Sequence, residues 1–381
     1  MFMTFVELWR ELTATILSFI LSFGTAVGTI APSTTAASSA YFDGNIKNVI
    51  YLIGDGMGFN HLEKSKVERN ISLALDTFSV KGSSMTRSYT SSVTDSAAGG
   101  TALATGVRTY NGAIGVYFTD AQAVVSYPKN ITELCLERGM LTGVITTDLT
   151  SGATPATFSA HESDRGNKEE ITEDQLKSGI NLIWGASNGL VTESNAKSNG
   201  YTFVDTYAEM MALPEGSSSF ACFGNDLWTL KQSDENTPNL EQMAKKAIDL
   251  LDDTDEGFFL MIEGAHIDKH SHSNKDESMT EALQEFDRTV QYALEYAARD
   301  GETLVVVTAD HETGAITANE DGSYSFTSGS HSGANVPLRI YGTDKIIKND
   351  ETVNNYEIPI RIAYALGFTE DEFPCEVMVA A

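Results

Sequence analysis

The chain has 381 residues, of which 41% are hydrophobic, enough for one large domain or two ordinary ones with a packed core. Asp and Glu number 53 against 25 Lys and Arg, a formal charge of −28, and a chain this acidic repels nucleic acid and anionic membranes. Nucleic-acid readout is therefore not expected, whereas the excess of carboxylates is well suited to holding cations.

Residues 1–40 have the composition of a targeting segment. A long, nearly uncharged apolar run is followed by small residues, and Ala37 or Ala40 is a plausible cleavage point. The leading residues carry two acids and one arginine, a net negative charge where a signal peptide has a net positive one. An uncleaved N-terminal anchor therefore remains the alternative. Either interpretation predicts an exported protein, periplasmic, secreted or at the cell surface, whose residues 41–381 form a single domain.

Cysteine usage argues against a disulfide framework. Cys135, Cys222 and Cys375 are far apart and odd in number, and no CxxC pair occurs. We therefore expect neither a thiolate metal site nor a set of stabilising disulfides.

Strand-like and helical patterns alternate from residue 48 onward. This alternation predicts a sheet covered by helices on both faces, with functional residues where strands end. Residues 168–238 lack candidate chemistry and are interpreted as a peripheral excursion from the same domain. The predicted strands are 48–53, 141–147, 257–264, 303–311 and 335–342, and the predicted helices are 130–138, 240–251 and 277–299.

The stretch VTDSAAGGTALATG places Ser96 behind Asp95 and ahead of four residues with little or no side chain. One interpretation is a helix start, in which Asp95 or Ser96 caps and the small residues allow close packing. The other is a serine nucleophile at a helix N-terminus, where N–H groups and the helix dipole favour phosphate. The choice depends on whether the chain supplies something that activates Ser96.

Four stretches, most of them at strand ends, carry metal-ligand side chains. In IGDGMG, Asp55 lies between two glycines, although Asp-Gly is also ordinary turn chemistry. In EGAHIDKHSH, Asp268 and His272 are four residues apart and can meet one zinc ion if the segment is helical. Glu263 can serve a second, harder ion through oxygen. A solvated polar loop is the alternative for this second stretch.

The other two stretches are TADHETG and GSHSG. Asp310 and His311 follow an apolar run, and adjacent side chains can share a metal only where the backbone is irregular. His331 lies in a Gly/Ser loop, where a lone histidine is often incidental. Together the four stretches predict a two-metal hydrolase, since two ions about 3.5–4 Å apart can activate a nucleophile and stabilise a leaving oxygen. Zinc can activate Ser96 in this way, and the chemistry suits phosphate esters.

The stretch SGATPATFSAHESDR adds two polar side chains. Thr154 can offer a hydroxyl oxygen to a hard cation, and Arg165 can bind two phosphate oxygens with its planar guanidinium. Taken alone, a Thr-Pro turn and a surface arginine are the favoured interpretations of these two residues.

In their order along the chain, these motifs resemble those of bacterial alkaline phosphatase, and the resemblance spans residues 48–367. The family implies a three-layer α/β sandwich with a central, largely parallel sheet flanked by helices. It implies a metal-dependent phosphomonoester hydrolase of broad specificity and alkaline optimum, which releases inorganic phosphate through a phosphoserine. It also implies two Zn²⁺ and one Mg²⁺ per chain.

The resemblance assigns roles by position. Ser96 would be the nucleophile and Arg165 would bind the phosphate, with Asp95 positioning the guanidinium and Lys269 close to the phosphate through water. The implied metal ligands are Asp268, His272 and His331 for the first zinc, Asp55, Asp310 and His311 for the second zinc, and Asp55, Thr154 and Glu263 for magnesium.

Gly152 departs from the family pattern. Two residues before the magnesium threonine, the family commonly carries an Asp or His that orders the magnesium shell, so we expect a looser site here. His270 matches no family role and is interpreted as a solvated loop residue. The chain is short for the family, which leaves a homodimer possible but in doubt.

Two alternative functions remain. A phosphodiesterase of the same superfamily would usually lack the phosphate-binding arginine, so Arg165 favours a monoesterase. A non-catalytic exported metal-binding protein would need the ligands but neither Ser96 nor Arg165.

Overall fold

The computed structural model describes residues 46–118, 124–252, 254–374 and 376–378. The targeting segment expected at residues 1–40 and Cys375 lie outside these ranges. Cys135 and Cys222 are buried and free. No helix within the described ranges is both long and apolar enough to cross a membrane.

The described residues form helices and strands in alternation. In chain order the strands are β1 (Asn48–Ile53), β2 (Val80–Met85), β3 (Tyr117–Phe118), β4 (Val124–Pro128), β5 (Leu141–Leu149), β6 (Leu182–Ala186), β7 (Thr202–Val204), β8 (Ser219–Cys222), β9 (Phe258–Glu263), β10 (Thr303–Thr308), β11 (Glu312–Thr313), β12 (Thr317–Ala318), β13 (Tyr324–Ser325), β14 (His331–Ser332), β15 (Val336–Tyr341), β16 (Thr352–Asn354) and β17 (Glu376–Met378). The helices are α1 (Phe59–Arg69), α2 (Ser96–Thr105), α3 (Ile131–Glu137), α4 (Ala153–Thr157), α5 (Lys168–Lys177), α6 (Glu193–Ser198), α7 (Tyr207–Ala212), α8 (Leu227–Leu230), α9 (Leu240–Leu251), α10 (His266–His272), α11 (Asp276–Asp300) and α12 (Glu357–Ala365), with a 3₁₀ turn at Ala74–Asp76.

One ten-stranded sheet carries the domain, in the order β16-β2-β15-β10-β1-β9-β5-β6-β8-β7. Neighbouring strands from β10 to β7 pair in parallel, whereas β15 runs antiparallel to both β10 and β2. Every residue of β1, β9 and β10 is buried, as expected of central strands covered on both faces.

Both faces of the sheet are covered by helices. Along β1, Ile50 and Leu52 join a core with apolar residues of α9 and α11, while Val49 and Tyr51 join a second core with those of α3 and α12. Alternating side chains of a strand point to opposite faces, so the sheet lies between two helical layers. The expected three-layer α/β sandwich is confirmed.

The predicted elements are present, with small differences at their ends. Strand β1 and helix α9 have the predicted bounds, and β5 extends two residues further, to Leu149. Strand β10 stops at Thr308, before the predicted end at His311. The chain bends at Asp310 and leaves the sheet, which gives two adjacent side chains freedom to face one site.

Residues 168–238 add strands to one end of the sheet. Strand β6 pairs with β5, β8 pairs with β6, and β7 forms the edge. Trp184 and Phe220 of these strands are fully buried, so the segment shares the cores of the central sheet.

Helix α2 begins at Ser96 and approaches its surroundings unusually closely. All ten of its residues are buried. A Cβ added to Gly99 would lie 2.8 Å from the backbone oxygen of Asp310, and one added to Gly100 would lie 2.8 Å from Thr157 Oγ1. The small residues after Ser96 therefore let the helix reach the turn that follows β10.

This close approach predicts the sign of a stability change. Gly→Ala at an unconstrained position stabilises a protein by roughly 0.4–1 kcal/mol. For Gly99→Ala we expect the reverse, a loss of about 1–3 kcal/mol, because the backbone oxygen of Asp310 cannot be moved cheaply. Urea unfolding of the metal-free protein measures the change, and a gain in stability would contradict the packing described.

Candidate active site

Ligand-type side chains meet at the carboxyl edge of the sheet. Asp55 follows β1, Glu263 ends β9 and Asp310 follows β10, and these strands are parallel neighbours. The carboxyl ends of parallel strands open on one edge, where binding sites of such sheets form. The topology thus brings together residues that are far apart in sequence.

The first cluster consists of Asp55, Asp310 and His311, whose ligand atoms lie within 4.8 Å of one another. Asp310 Oδ1 accepts hydrogen bonds from the backbone N–H groups of Gly56 and His311, which orients the carboxylate. Asp55 Oδ1 and Asp310 Oδ2 are buried without a hydrogen-bond partner among the described residues. Orphaned carboxylate oxygens in the interior are costly unless a cation binds them, so the cluster fits a metal ion.

The second cluster consists of Asp268, His272 and His331. Each histidine donates its Nδ1–H to a backbone carbonyl at 2.8 Å, His272 to Gly329 and His331 to Thr94. In the neutral form of each ring this leaves Nε2 as an acceptor, and the two Nε2 atoms face each other at 3.1 Å, close to the carboxylate of Asp268. Two lone pairs this close repel each other unless a cation lies between them, and such outer hydrogen bonds are typical of metal-binding histidines.

A single hydroxyl links the two clusters. Thr313 Oγ1 donates to the carboxylate of Asp268 and accepts from His311 Nδ1 at 3.1 Å, because it carries only one proton. His311 Nε2 is then a free acceptor, and burial lowers the pKa of His311 to about 3, so the ring is neutral. The rings of His311 and His331 stack with centroids 3.6 Å apart, which places the clusters side by side.

Ser96 lies at the first cluster. Its Oγ is 3.1 Å from His311 Nε2, while Asp55 and Asp310 contact the same ring nitrogen at 3.4 and 3.2 Å. In a serine–histidine–aspartate triad the carboxylate instead contacts Nδ1. The arrangement therefore favours activation of Ser96 by a metal over activation by His311 as a base.

The cap of helix α2 joins Ser96 to Arg165. Asp95 Oδ1 accepts from the N–H of Ala98, which caps the helix, and Asp95 Oδ2 accepts from Arg165 Nη1 at 3.0 Å. The N–H of Gly112 also donates to Oδ2 and fixes the carboxylate. The Arg165 side chain stays 40% exposed, so it remains accessible to an anion at the N-terminus of the helix.

Glu263 and Thr154 are both buried, and Glu263 pairs with Ile53 at the end of the strand that precedes Asp55. Glu263 is 1% exposed and accepts from the hydroxyl of Thr146. Burial, reinforced by the charge of Asp148, raises the pKa of Glu263 to about 8. Burial and the charges of Asp310 and other carboxylates, Glu263 among them, raise the pKa of Asp55 as well. Thr154 Oγ1 is buried and has no partner among the described residues, so oxygen ligands for a hard cation are present.

Lys269 forms an ion pair with Asp148, a residue that the motifs did not indicate. Burial alone would lower the pKa of Lys269, but the charge of Asp148 and the hydrogen bond to it outweigh burial and raise the pKa. The ammonium group is therefore charged and held near the carboxyl edge of the sheet.

The interpretation of His270 as a solvated loop residue is wrong. His270 lies in helix α10, is 7% exposed, and packs edge-on against Trp228 with centroids 4.5 Å apart. Burial lowers its pKa to about 4, so it packs as a neutral ring. The helix turns His270 away from Asp268 and His272, because residues four apart share a face and residues two apart do not.

Comparisons with known proteins agree with this geometry. A family model described as alkaline phosphatase matches residues 46–185 and 184–355. Alkaline phosphatase 4 of Bacillus subtilis is 32% identical over 327 residues, covering 80% of this chain and 69% of that relative. Alkaline phosphatase of Escherichia coli is 30% identical over 349 residues, covering 73% of this chain and 72% of that relative. The solved alkaline phosphatase of the Antarctic bacterium TAB5 is similar with a TM-score of 0.75 at 29% identity, covering 86% of this chain and 100% of that one.

The chain belongs to the alkaline phosphatase family. It is accordingly a phosphatase, and membership of the family supports metal cofactors.

Sequence reasoning missed several residues of this alkaline phosphatase site. Thr313 joins Asp268 to His311, and Thr146 holds Glu263, but threonine is too common in strands to stand out. Their positions in the sequence could have indicated them. Thr313 comes two residues after His311, and Asp148 lies near the end of a strand, β5, as other candidates lie at the ends of their strands.

Removal of the Thr313 hydroxyl should weaken metal binding without removing a ligand. Thr313→Val keeps the shape but releases Asp268 and His311, and such outer changes typically cost about 10–100-fold in metal affinity. Thr313→Ser, which keeps the hydroxyl, should retain most of it. Zinc retention against a competing chelator measures the effect, with Thr327→Val, an exposed threonine that donates to Ala315 O, as the matched control. Equal retention by Thr313→Val and Thr327→Val would contradict the role of the hydroxyl.

Proposed function

We propose that this phosphatase hydrolyses phosphomonoesters of broad structure at alkaline pH, through a phosphoserine at Ser96, with two Zn²⁺ and one Mg²⁺ per chain. One observation carries the proposal. Ser96 Oγ lies at the N-terminus of α2 and 3.1 Å from His311 Nε2, within the first of two adjacent metal-ligand clusters. Ser96 therefore lies where a bound metal would activate its hydroxyl, and at a helix N-terminus that favours anions.

The ligand sets fit the proposed metals by their chemistry. Each cluster offers three nitrogen and oxygen ligands, and three protein ligands with an open position are typical of catalytic zinc. Asp55, Glu263 and Thr154 offer only oxygen, which suits magnesium. A variant of the TAB5 enzyme, 30% identical with a TM-score of 0.73, is described with magnesium bound in its M3 site, which supports a magnesium site in this chain.

The bound metals would lower the pKa of the Ser96 hydroxyl and offset charge on the leaving oxygen. Ser96 Oγ forms a bond to phosphorus as the ester P–O bond breaks and the alcohol leaves with a proton. Water then attacks phosphorus, the Oγ–P bond breaks, Ser96 regains its proton, and inorganic phosphate is released.

Arg165 would bind two phosphate oxygens while Asp95 holds its guanidinium beside the helix that carries Ser96. A monoester presents more unesterified oxygens than a diester, so this arginine favours monoesters. Phosphodiester hydrolysis remains the second candidate within the superfamily. The composition of residues 1–40 supports export, which is proposed together with the function.

The first experiment is hydrolysis of p-nitrophenyl phosphate from neutral to alkaline pH, with bis-p-nitrophenyl phosphate alongside. We expect monoester activity that chelation abolishes and added zinc with magnesium restores. Ser96→Ala should reduce this activity by several orders of magnitude and abolish acid-stable labelling by phosphate, because it removes the nucleophile. Ser92→Ala, an exposed serine four residues upstream, is the matched control.

Other outcomes discriminate between the alternatives. Cleavage of the diester alone would mean that Arg165 has been misinterpreted. No cleavage by folded, metal-loaded protein would leave metal binding as the leading function.

Asp95→Asn should selectively weaken phosphate binding. Asn keeps a capping oxygen for Ala98, but its amide group replaces the oxygen that accepts from Arg165 and Gly112. We expect the inhibition constant of inorganic phosphate to rise about tenfold, as for loss of a hydrogen bond to a charged group.

The control is Asp164→Asn, which also removes a charge beside Arg165 but whose carboxylate accepts from the N–H of Gly166. Competitive inhibition by phosphate is measured in both variants. An equal change in the two would show that only the overall charge matters and would contradict positioning by Asp95.

A further inference from the structure

Gly152 and Asp148 compete for one space. A Cβ added to Gly152 would lie 2.5 Å from Asp148 Oδ2 and 3.0 Å from its Cγ. The backbone of Gly152 has φ −53° and ψ 158°, a conformation open to any residue, so the glycine is not required by its dihedral angles. The carboxylate of Asp148 therefore occupies the place that a side chain at position 152 would enter.

Asp148 is also linked through Thr146 to Glu263, one of the oxygen ligands proposed for magnesium. Its backbone N–H donates to Thr146 Oγ1 at 2.8 Å, and the same hydroxyl donates to Glu263. Its charge contributes to the raised pKa of Glu263 and, as the smallest of several causes, to that of Asp55, as expected of like charges in one region of the interior. Thr154 Oγ1, which is 1% exposed, remains without a partner among the described residues.

We propose that Asp148 completes the third cation site from four residues upstream, in place of the side chain that Gly152 lacks. Asp148 orders the outer shell of Mg²⁺ and holds Lys269 at the edge of the site. The proposal rests on the magnesium site described under the proposed function. It also reverses the expectation drawn from Gly152 alone, because a carboxylate is present although it belongs to another residue.

A simple surface ion pair does not account for these contacts. The pair of Lys269 and Asp148 is partly exposed, with side chains 43% and 22% accessible, and such pairs contribute little to stability. Stability of the pair would not require an empty position at residue 152. A role at the cation explains both the glycine and the carboxylate that fills its space.

The direct test is calorimetric titration of MgCl₂ into protein loaded with two equivalents of zinc. We expect Asp148→Asn to raise the Mg²⁺ dissociation constant by about 10–100-fold, the usual effect of removing an outer-shell partner. Asp226→Asn is the matched control, since Asp226 lines the same cavity of about 570 Å³ but caps helix α8, which Asn also does well. Equal dissociation constants for the two variants would overturn the proposal.

A second pair of variants tests the shared space. Gly152→Asp alone should weaken Mg²⁺ binding, because its Cβ collides with Asp148. In the Asp148→Ala background the same substitution should recover much of the affinity lost by Asp148→Ala. An equal loss from Gly152→Asp in both backgrounds would show that the positions are independent and would overturn the proposal. Melting temperatures of the metal-free variants establish that each protein is folded.

The wild-type titration separates the two levels of the argument. If zinc-loaded wild-type protein binds no Mg²⁺, the proposed third site fails and the role of Asp148 fails with it. If wild-type protein binds Mg²⁺ and Asp148→Asn binds it equally well, the site stands and only the role of Asp148 is overturned.

Discussion

Asp55, Glu263 and Asp310 lie at the ends of three adjacent parallel strands, so the sheet itself forces three carboxylates together in the protein interior. Burial and mutual repulsion raise the pKa of Asp55 and of Glu263, which means that their charges are costly without compensation. Cations supply that compensation. The remaining features of the site hold these carboxylates in place or present a nucleophile to the space they surround.

Presentation of the nucleophile limits the composition of helix α2. Glycine within a helix costs about 1 kcal/mol relative to alanine, so consecutive glycines need a structural reason. Gly99 and Gly100 have one, because a Cβ at either would meet Asp310 or Thr157 at 2.8 Å. The two glycines lower the helix propensity of α2 but allow the close approach that places Ser96 beside His311. The two interpretations of the Ser96 stretch are thus compatible: Asp95 caps a closely packed helix, and that helix positions the serine.

The sequence predicted the fold better than the finer contacts of the site. Strand β1 and helix α9 have their predicted bounds because their patterns are long and end at clear signals. Strand β10 was predicted too long, since hydrophobic pattern does not reveal where a strand leaves its partners. His270 was misplaced because a dense polar stretch looks like a loop until Trp228, distant in sequence, is seen to pack against it. The clustering of ligand types could be predicted because they follow strand ends, whereas the contact of Thr313 with Asp268 depends on tertiary structure.

Gly152 shows why position in a motif is an incomplete guide to a site. A cation responds to the charge and the oxygen atoms around it, and not to the residue number from which they come. Asp148 brings a carboxylate to the place that Gly152 leaves open and pairs with Lys269 there. A Cβ at position 152 would lie 2.5 Å from Asp148 Oδ2, so a side chain there would displace the carboxylate of Asp148 from its present position. Because Gly152 has no side chain, the carboxylate of Asp148 can occupy this space. The roles of the two residues at the site therefore depend on each other.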